Sequence, residues 1–350
     1  MAMKFGTGMA PVDPIRKIAI ENAKLAEDLG YDYYGCADQR GGGEHDAYVV
    51  LTSAAWHTKR IMIGPMITSP YARIPAMTAR AIASLDELTN GRAFWCLGVG
   101  GSEGEDFGAQ VVSPNQALRE ATLISRKLWS GETVNFEGKV FKCVDHKLNW
   151  ERGWNPRPRP NIPIYIATRS PLNLQLAGEV ADGAVIASYA SKENIKYALE
   201  LVKKGAEKAG RTLKDVELVS WIYTSIADTR EKALENVKPF AVNAMYNTAP
   251  EMYEKFGISD KVVEYFLECR KTGARGHRLD MKVIDKIMSY DDLSKFSMAG
   301  TPSDCIKKVE ELQDLGIGTI WIRPFAAPGS SVNVEQVIRP FGEKVIPKFK

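Results

Sequence analysis

Apolar and polar residues follow a repeated beat along the chain. A short apolar run ends in a polar or glycine break, and a longer stretch follows with apolar positions three and four apart. Short apolar runs bounded by turn residues predict strands, and spacing near 3.6 residues predicts helices. Strands are expected at 4–9, 33–37, 61–67, 93–97, 164–167, 183–187, 216–226 and 319–323. Helices are expected at 15–29, 46–58, 76–88, 115–129, 171–180, 192–209, 230–245 and 334–343. Gly30 and Asn90-Gly91 supply stop signals after the first and third of these helices. Residues 133–144 read as a short hairpin around Glu137-Gly138. The four prolines of 154–163 make a stiff connection rather than a helix.

Eight strands separated by helical material, in 350 residues, fit an α/β fold of the (β/α)8 TIM-barrel type better than an open sheet. The stretch 249–296 is helix-rich without a clear strand. It reads as an insertion, at about 245–297, before the eighth strand of a single domain covering 1–350. Composition adds only bounds. Hydrophobic content of 45% and charged content of 25% are those of a soluble globular chain. A net charge of +3, with Lys and Arg spread along the sequence, gives no case for nucleic acid or a membrane surface. Cys36, Cys96, Cys143, Cys269 and Cys305 form no CxxC pair, so free thiols in a reduced, cytoplasmic setting are expected and a zinc site is not.

The densest signal lies in 61–101. An apolar run ends in Thr68-Ser69-Pro70-Tyr71-Ala72-Arg73; a helix ends at Asn90-Gly91; a second apolar run ends in Gly98, Gly100 and Gly101. Two strand ends with polar or glycine-rich loops, one helix apart, are what a parallel α/β enzyme uses to build a site. The glycines are not a dinucleotide fingerprint, because the third position of GxGxxG falls on Glu103. Four strings carry a resemblance: Thr68 to Pro75, then Ala83 to Arg92, then Leu97-Gly98-Val99-Gly100, then Ile164 to Pro171 leading to Ala177-Gly178-Glu179-Val180-Ala181-Asp182-Gly183. They are similar to the bacterial luciferase-like superfamily. The Pro-Tyr-x-Arg string at Tyr71 and Arg73 resembles its coenzyme F420 (deazaflavin) branch, that of methylenetetrahydromethanopterin reductase.

The resemblance implies a site. A non-prolyl cis peptide near the end of the third strand would join Met66 to Ile67, behind the central ring of a flavin or deazaflavin. Asp38, Thr68, Ser69, Gly100 and Gly101 would flank that ring. Ala167, Thr168, Arg169 and Ser170 precede a helix opened by Pro171, where free amides and the positive dipole end suit a cofactor phosphate. Glu103 falls where relatives carry a carboxyl beside the ring, and a carboxyl in an apolar pocket serves as general acid; a solvated loop carboxylate is the equal alternative. Gln39 stands where relatives often have histidine. It offers hydrogen bonds but no proton shuttle. His45, after Gly41-Gly42-Gly43, is a candidate substitute or simply an exposed side chain. Arg323, ending the eighth strand, suits an anionic substrate group, the cofactor tail or a rim salt bridge. Tyr71 and Arg73 form a polar rim, and Trp221, with Tyr223, a pocket wall.

The expected function is hydride transfer from reduced coenzyme F420 to a small organic electrophile such as an imine, activated alkene or carbonyl. An alternative is an FMN-dependent monooxygenase served by a flavin reductase. A second alternative is a catalytically idle flavin-binding barrel. The resemblance also implies a homodimer built on helices of the N-terminal half, where Trp56 and His57 lie.

Overall fold

The eight predicted strands all form, and they close into a ring. The computed structural model describes residues 2–8, 14–38, 45–100, 110–148, 159–274, 276, 279–324 and 334–350. Its strands are β1 (Lys4–Gly8), β2 (Tyr33–Asp38), β3 (Met62–Thr68), β4 (Trp95–Leu97), β5 (Val134–Glu137), β6 (Lys142–His146), β7 (Ile164–Thr168), β8 (Gly183–Ala187), β9 (Glu217–Ile226), β10 (Ser297–Gly300) and β11 (Thr319–Pro324). The parallel ring runs β11-β1-β2-β3-β4-β7-β8-β9, and β9 closes onto β11. β5 and β6 form the antiparallel hairpin expected near Glu137.

Helices cover the outside: α1 (Ala23–Asp28), α2 (Ala47–His57), α3 (Pro75–Leu88), α4 (Pro114–Trp129), α5 (Pro171–Val180), α6 (Lys192–Lys208), α7 (Arg230–Tyr246), α8 (Asp260–Lys271), α9 (Met281–Ile287), α10 (Tyr290–Ser294), α11 (Pro302–Asp314) and α12 (Glu335–Lys344). A π-type turn, Lys17–Asn22, leads into α1. Local chemistry sets the helix starts. Proline occupies the first position of α3, α4, α5 and α11, where the missing N–H costs nothing. Ser191 and Thr301 make capping boxes for α6 and α11.

The ring interior is filled by side chains. Trp321 lies 5.7 Å from the rings of both Tyr33 and Phe94, with Val185, Val219, Cys96 and Met66 around them. Gly35 makes room for this, since a Cβ there would fall 2.6 Å from Met66 Cβ and 2.8 Å from Trp321.

The amino-terminal end of the ring is held by carboxylates. Glu217 accepts hydrogen bonds from Thr319 Oγ1 (2.6 Å), Tyr165 Oη (2.9 Å), Tyr33 Oη (3.1 Å) and Lys4 Nζ (3.3 Å). Asp86 accepts from Ala93 N (3.1 Å) and from both Nε and Nη2 of Arg159 (2.9 and 2.7 Å). Asp182 accepts from Ile164 N (2.7 Å) and from Arg126. Glu27 accepts from the amides of Lys59, Arg60 and Ile61.

Between α7 and β10 lie α8, α9 and α10, in the stretch read as a helical insertion. Two elements escape the sequence pattern. β10 pairs parallel with β9 from Tyr223 to Ile226, outside the ring, and α11 fills the span between β10 and β11. Residues 149–158, most of the proline-rich connection, lie outside the described residues.

Candidate active site at the barrel mouth

The carboxyl ends of the ring strands converge on one mouth, the end where this architecture builds its chemistry. β3 ends there in Met66, Ile67 and Thr68, and the Met66–Ile67 peptide bond is cis, where the motif position puts it. The strand pairing shifts register at this point against both β2 and β4. Gly98 follows β4. A Cβ on Gly98 would lie 2.5 Å from Ile67 Cδ1 and 2.9 Å from the Ala167 carbonyl oxygen. Three strand ends therefore share one close-packed floor, and the chain leaves it through Gly100 in the left-handed region (φ 78°).

On one side of the floor, Asp38 ends β2. Its carboxylate accepts from Arg73 Nε at 3.1 Å, and Arg73 Nη2 donates to Asp46 at 2.5 Å. The same guanidinium lies 4.6 Å from the centroid of the Tyr48 ring. Burial pushes the Asp38 carboxyl above its ordinary value even though Arg73 opposes the shift. Burial works against the Arg73 cation, but Asp38 and Asp46 outweigh it and raise its pKa. His45 lies beside Asp46, partly exposed. Ser69 Oγ donates to the Val99 carbonyl at 3.2 Å and accepts from Tyr71 N at 3.3 Å. Tyr71 Oη donates to the Val112 carbonyl at 2.5 Å.

Across the mouth, Thr168 ends β7 and its Oγ1 accepts from Ser170 N at 2.9 Å. Ser170 is the N-cap residue of α5 but its side chain makes no cap, so the first-turn amides keep their donor capacity toward the mouth. Arg323, at the end of β11, stacks on two rings: its guanidinium carbon lies 3.9 Å from the Trp221 ring and 4.3 Å from the Tyr223 ring. Burial lowers the pKa of Arg323; Tyr223 opposes that and the nearby Arg169 adds to it. Ser188, directly after β8, has φ 61°, and its buried hydroxyl has no hydrogen-bond partner among the described residues.

Asp38, Met66, Ile67, Thr68, Ser69, Gly100, Tyr71 and Arg73 thus gather on the β2–β4 side. Ala167, Thr168, Arg169, Ser170, Trp221 and Arg323 gather on the β7–β11 side. Gln39, Gly101 and Glu103 lie outside the described residues. Sequence reasoning missed Asp46, Tyr48 and Ser188. Asp46 had a signal, since it heads a helical stretch and caps α2 through the Tyr48 and Val49 amides. Ser188 had none, because its left-handed backbone is invisible in the residue type.

The chain's residues 4–319 match the model of the luciferase-like monooxygenase family. A 5,10-methylenetetrahydromethanopterin reductase from Methanolobus tindarius is 33% identical over 98% of the chain and 100% of its own length. An F420-dependent glucose-6-phosphate dehydrogenase from Amycolatopsis mediterranei is 28% identical over 95% of the chain and 94% of its own length. The solved coenzyme F420-dependent tetrahydromethanopterin reductase from Methanopyrus kandleri superposes with a TM-score of 0.83 at 27% identity, covering 100% of both chains.

Proposed function

Because the chain belongs to the luciferase-like monooxygenase family, we propose that it is an oxidoreductase using reduced coenzyme F420 to reduce a small organic electrophile. The observation that carries this reading is the floor shared by Ile67, Gly98 and Ala167, in a chain whose full-length relatives include F420-dependent enzymes. Gly98 lets these strand ends pack together, because a side chain there would collide with Ile67 and the Ala167 carbonyl. When bound, reduced F420 supplies a hydride. The chain's residues do the rest. Met66, Ile67 and Gly98 support one face of the ring. Thr168, Arg169, Ser170 and the first amides of α5 take the phosphate, a group that helix starts favour. The Ser188 hydroxyl, buried without a partner among the described residues, offers a further hydrogen bond. Asp38, held by Arg73, orders the β2 edge of the site. Arg323, fixed between two rings, orients an anionic part of the substrate, and Gln39 and Glu103 supply the remaining donors.

The 5,10-methylenetetrahydromethanopterin in the name of the Methanolobus relative is the first electrophile to test. Reduction of such a carbon needs hydride on one face and a proton donor nearby. The chain is read as one barrel domain that carries the insertion at about 245–297. It is also read as a homodimer, because Val49, Trp56, Ile74 and Met77 stand exposed on α2 and at the start of α3; Trp56 is 73% exposed.

Fluorescence titration of the purified protein with F420 and with FMN tests the reading. Micromolar F420 binding and F420-dependent reduction are expected. FMN binding without F420 binding would overturn it in favour of the monooxygenase with its flavin reductase. Sedimentation of the same sample is expected to show a dimer; a monomer at micromolar concentration would remove that part.

A further inference from the structure

The hairpin β5–β6 is unusual for its place in the chain. It follows α4, whose start lies at the mouth and whose end lies at the opposite end of the ring. The hairpin runs back along α4, so its tip, from Gly138 to Phe141, returns to the level of Glu120. Glu120 is fully buried. Its carboxylate accepts from the amides of Lys139 (2.7 Å), Val140 (3.0 Å) and Phe141 (2.8 Å), and from Gln116 Nε2 (3.1 Å). A Cβ on Gly138 would fall 2.3 Å from the same carboxyl group, so the turn is shaped around the acid. Burial would raise the Glu120 pKa, but the amide donors outweigh it and hold the carboxyl below its ordinary value. The latch is therefore charged at neutral pH.

The latched tip carries Phe141 to Tyr71. Their ring centroids lie 6.3 Å apart at 46°, and Tyr71 is close enough to Glu120 for that charge to raise the phenol pKa, after burial. Tyr71 belongs to the β3–α3 loop at the rim. We propose that Glu120 is a positioning residue for substrate specificity: its carboxylate fixes the hairpin tip so that Phe141 and Tyr71 form one aromatic wall of the substrate pocket. The wall suits a flat, conjugated part of the substrate, which gains by packing on aromatic faces. This rests on the reading of the mouth as a hydride-transfer site.

The test compares wild type with Glu120→Gln and Phe141→Ala. An amide at position 120 keeps one acceptor oxygen and turns an NH2 group against one or two of the three backbone donors, so the latch loosens without loss of volume. Glu120→Gln is expected to raise the KM for the electrophile about tenfold and to leave kcat and the F420 dissociation constant within about twofold. Phe141→Ala should raise the same KM while hairpin amide exchange stays slow. Hydrogen exchange supplies an arm that needs no substrate. In Glu120→Gln, exchange should quicken at 138–141 and also in the rim loop 69–73. Faster exchange confined to the hairpin, or an unchanged KM, would overturn the proposal and leave Glu120 a purely structural acid. If wild type shows no F420-dependent turnover, the functional reading fails, and exchange in 69–73 still decides whether the latch sets the rim.

Discussion

The two ends of the barrel handle charge in opposite ways. At the amino-terminal end, carboxylates are consumed by structure: Glu27, Asp86, Asp182 and Glu217 are each held by backbone amides, arginines or hydroxyls. At the mouth the charges are paired more sparingly: Asp38 is held by Arg73 and shifted upward by burial, Arg323 stacks on two rings, and Ser188 keeps a buried hydroxyl without a partner among the described residues. A network that satisfies every donor stabilises a fold, whereas one that leaves capacity open has room for a ligand. The same family motif spans both. In the string around Asp86 and Arg92 the side chains tie strand and helix ends together, far from the chemistry. Arg92, for example, donates to the carbonyls of Ile61 (2.6 Å) and Thr58 (3.1 Å).

If this contrast holds, substitutions at the two ends separate stability from activity. The largest stability loss is expected for Asp86→Ala. It strips Arg159 and the Ala93 amide of a buried acceptor and should cost about 2–3 kcal/mol, with Arg159 partly exposed and so partly rescued by water. Denaturant unfolding measures this, and F420 affinity should stay the same. A loss of affinity equal to the loss of stability would break the contrast. Arg323→Met keeps an unbranched apolar stem and removes the guanidinium that stacks on the Trp221 and Tyr223 rings. It should lower kcat/KM for the electrophile by about ten- to a hundredfold with little change in melting temperature. A large fall in melting temperature would place Arg323 among the structural charges instead.

The smallest effect is expected for Arg73→Gln. Its ion pairs with Asp38 and Asp46 are partly exposed, so stability should fall by about 1 kcal/mol or less. The pH dependence is more telling. The folded Asp38 carboxyl lies above its ordinary value, so ionising it opposes folding. That cost is absent below the unfolded pKa, grows as pH rises to the folded pKa, and is constant above it. Without Arg73 the folded pKa rises further. The acidic limb of the activity profile should move upward, and an unmoved limb would show that Asp38 ionisation is irrelevant to turnover.

The ring was legible because its strands are buried on both faces. Runs such as 61–67 and 183–187 are continuously apolar and end in Gly, Pro or polar breaks. β10 was not, because Ser297-Met298-Ala299-Gly300 has no β-branched or aromatic residue. α11 did carry a signal that went unread: Thr301 with Asp304 at capping-box spacing, then Cys305, Val309 and Leu312 on one face. At the mouth, the cis bond between Met66 and Ile67 was legible only by likeness to a family, since no residue type announces it. Glu120 was illegible altogether. Within the helical pattern of α4 it looks like a surface acid, and the amides that bury it have no sequence signature.

The long strand β9 carries a consequence for how such an enzyme changes over time. One of its edges takes β8 as far as Trp221 and then β10 from Tyr223 onward. The ring closes without the second half of that edge. The segment between α7 and β10 therefore hangs from a rail that the barrel does not need. Its packing, through side chains such as Phe256 and Phe296, is against the core rather than through ring hydrogen bonds, so its length can change without breaking the ring ladder. A lineage built this way can rewrite the ground beside Tyr223 and Arg323 while the cradle at Gly98 stays as inherited.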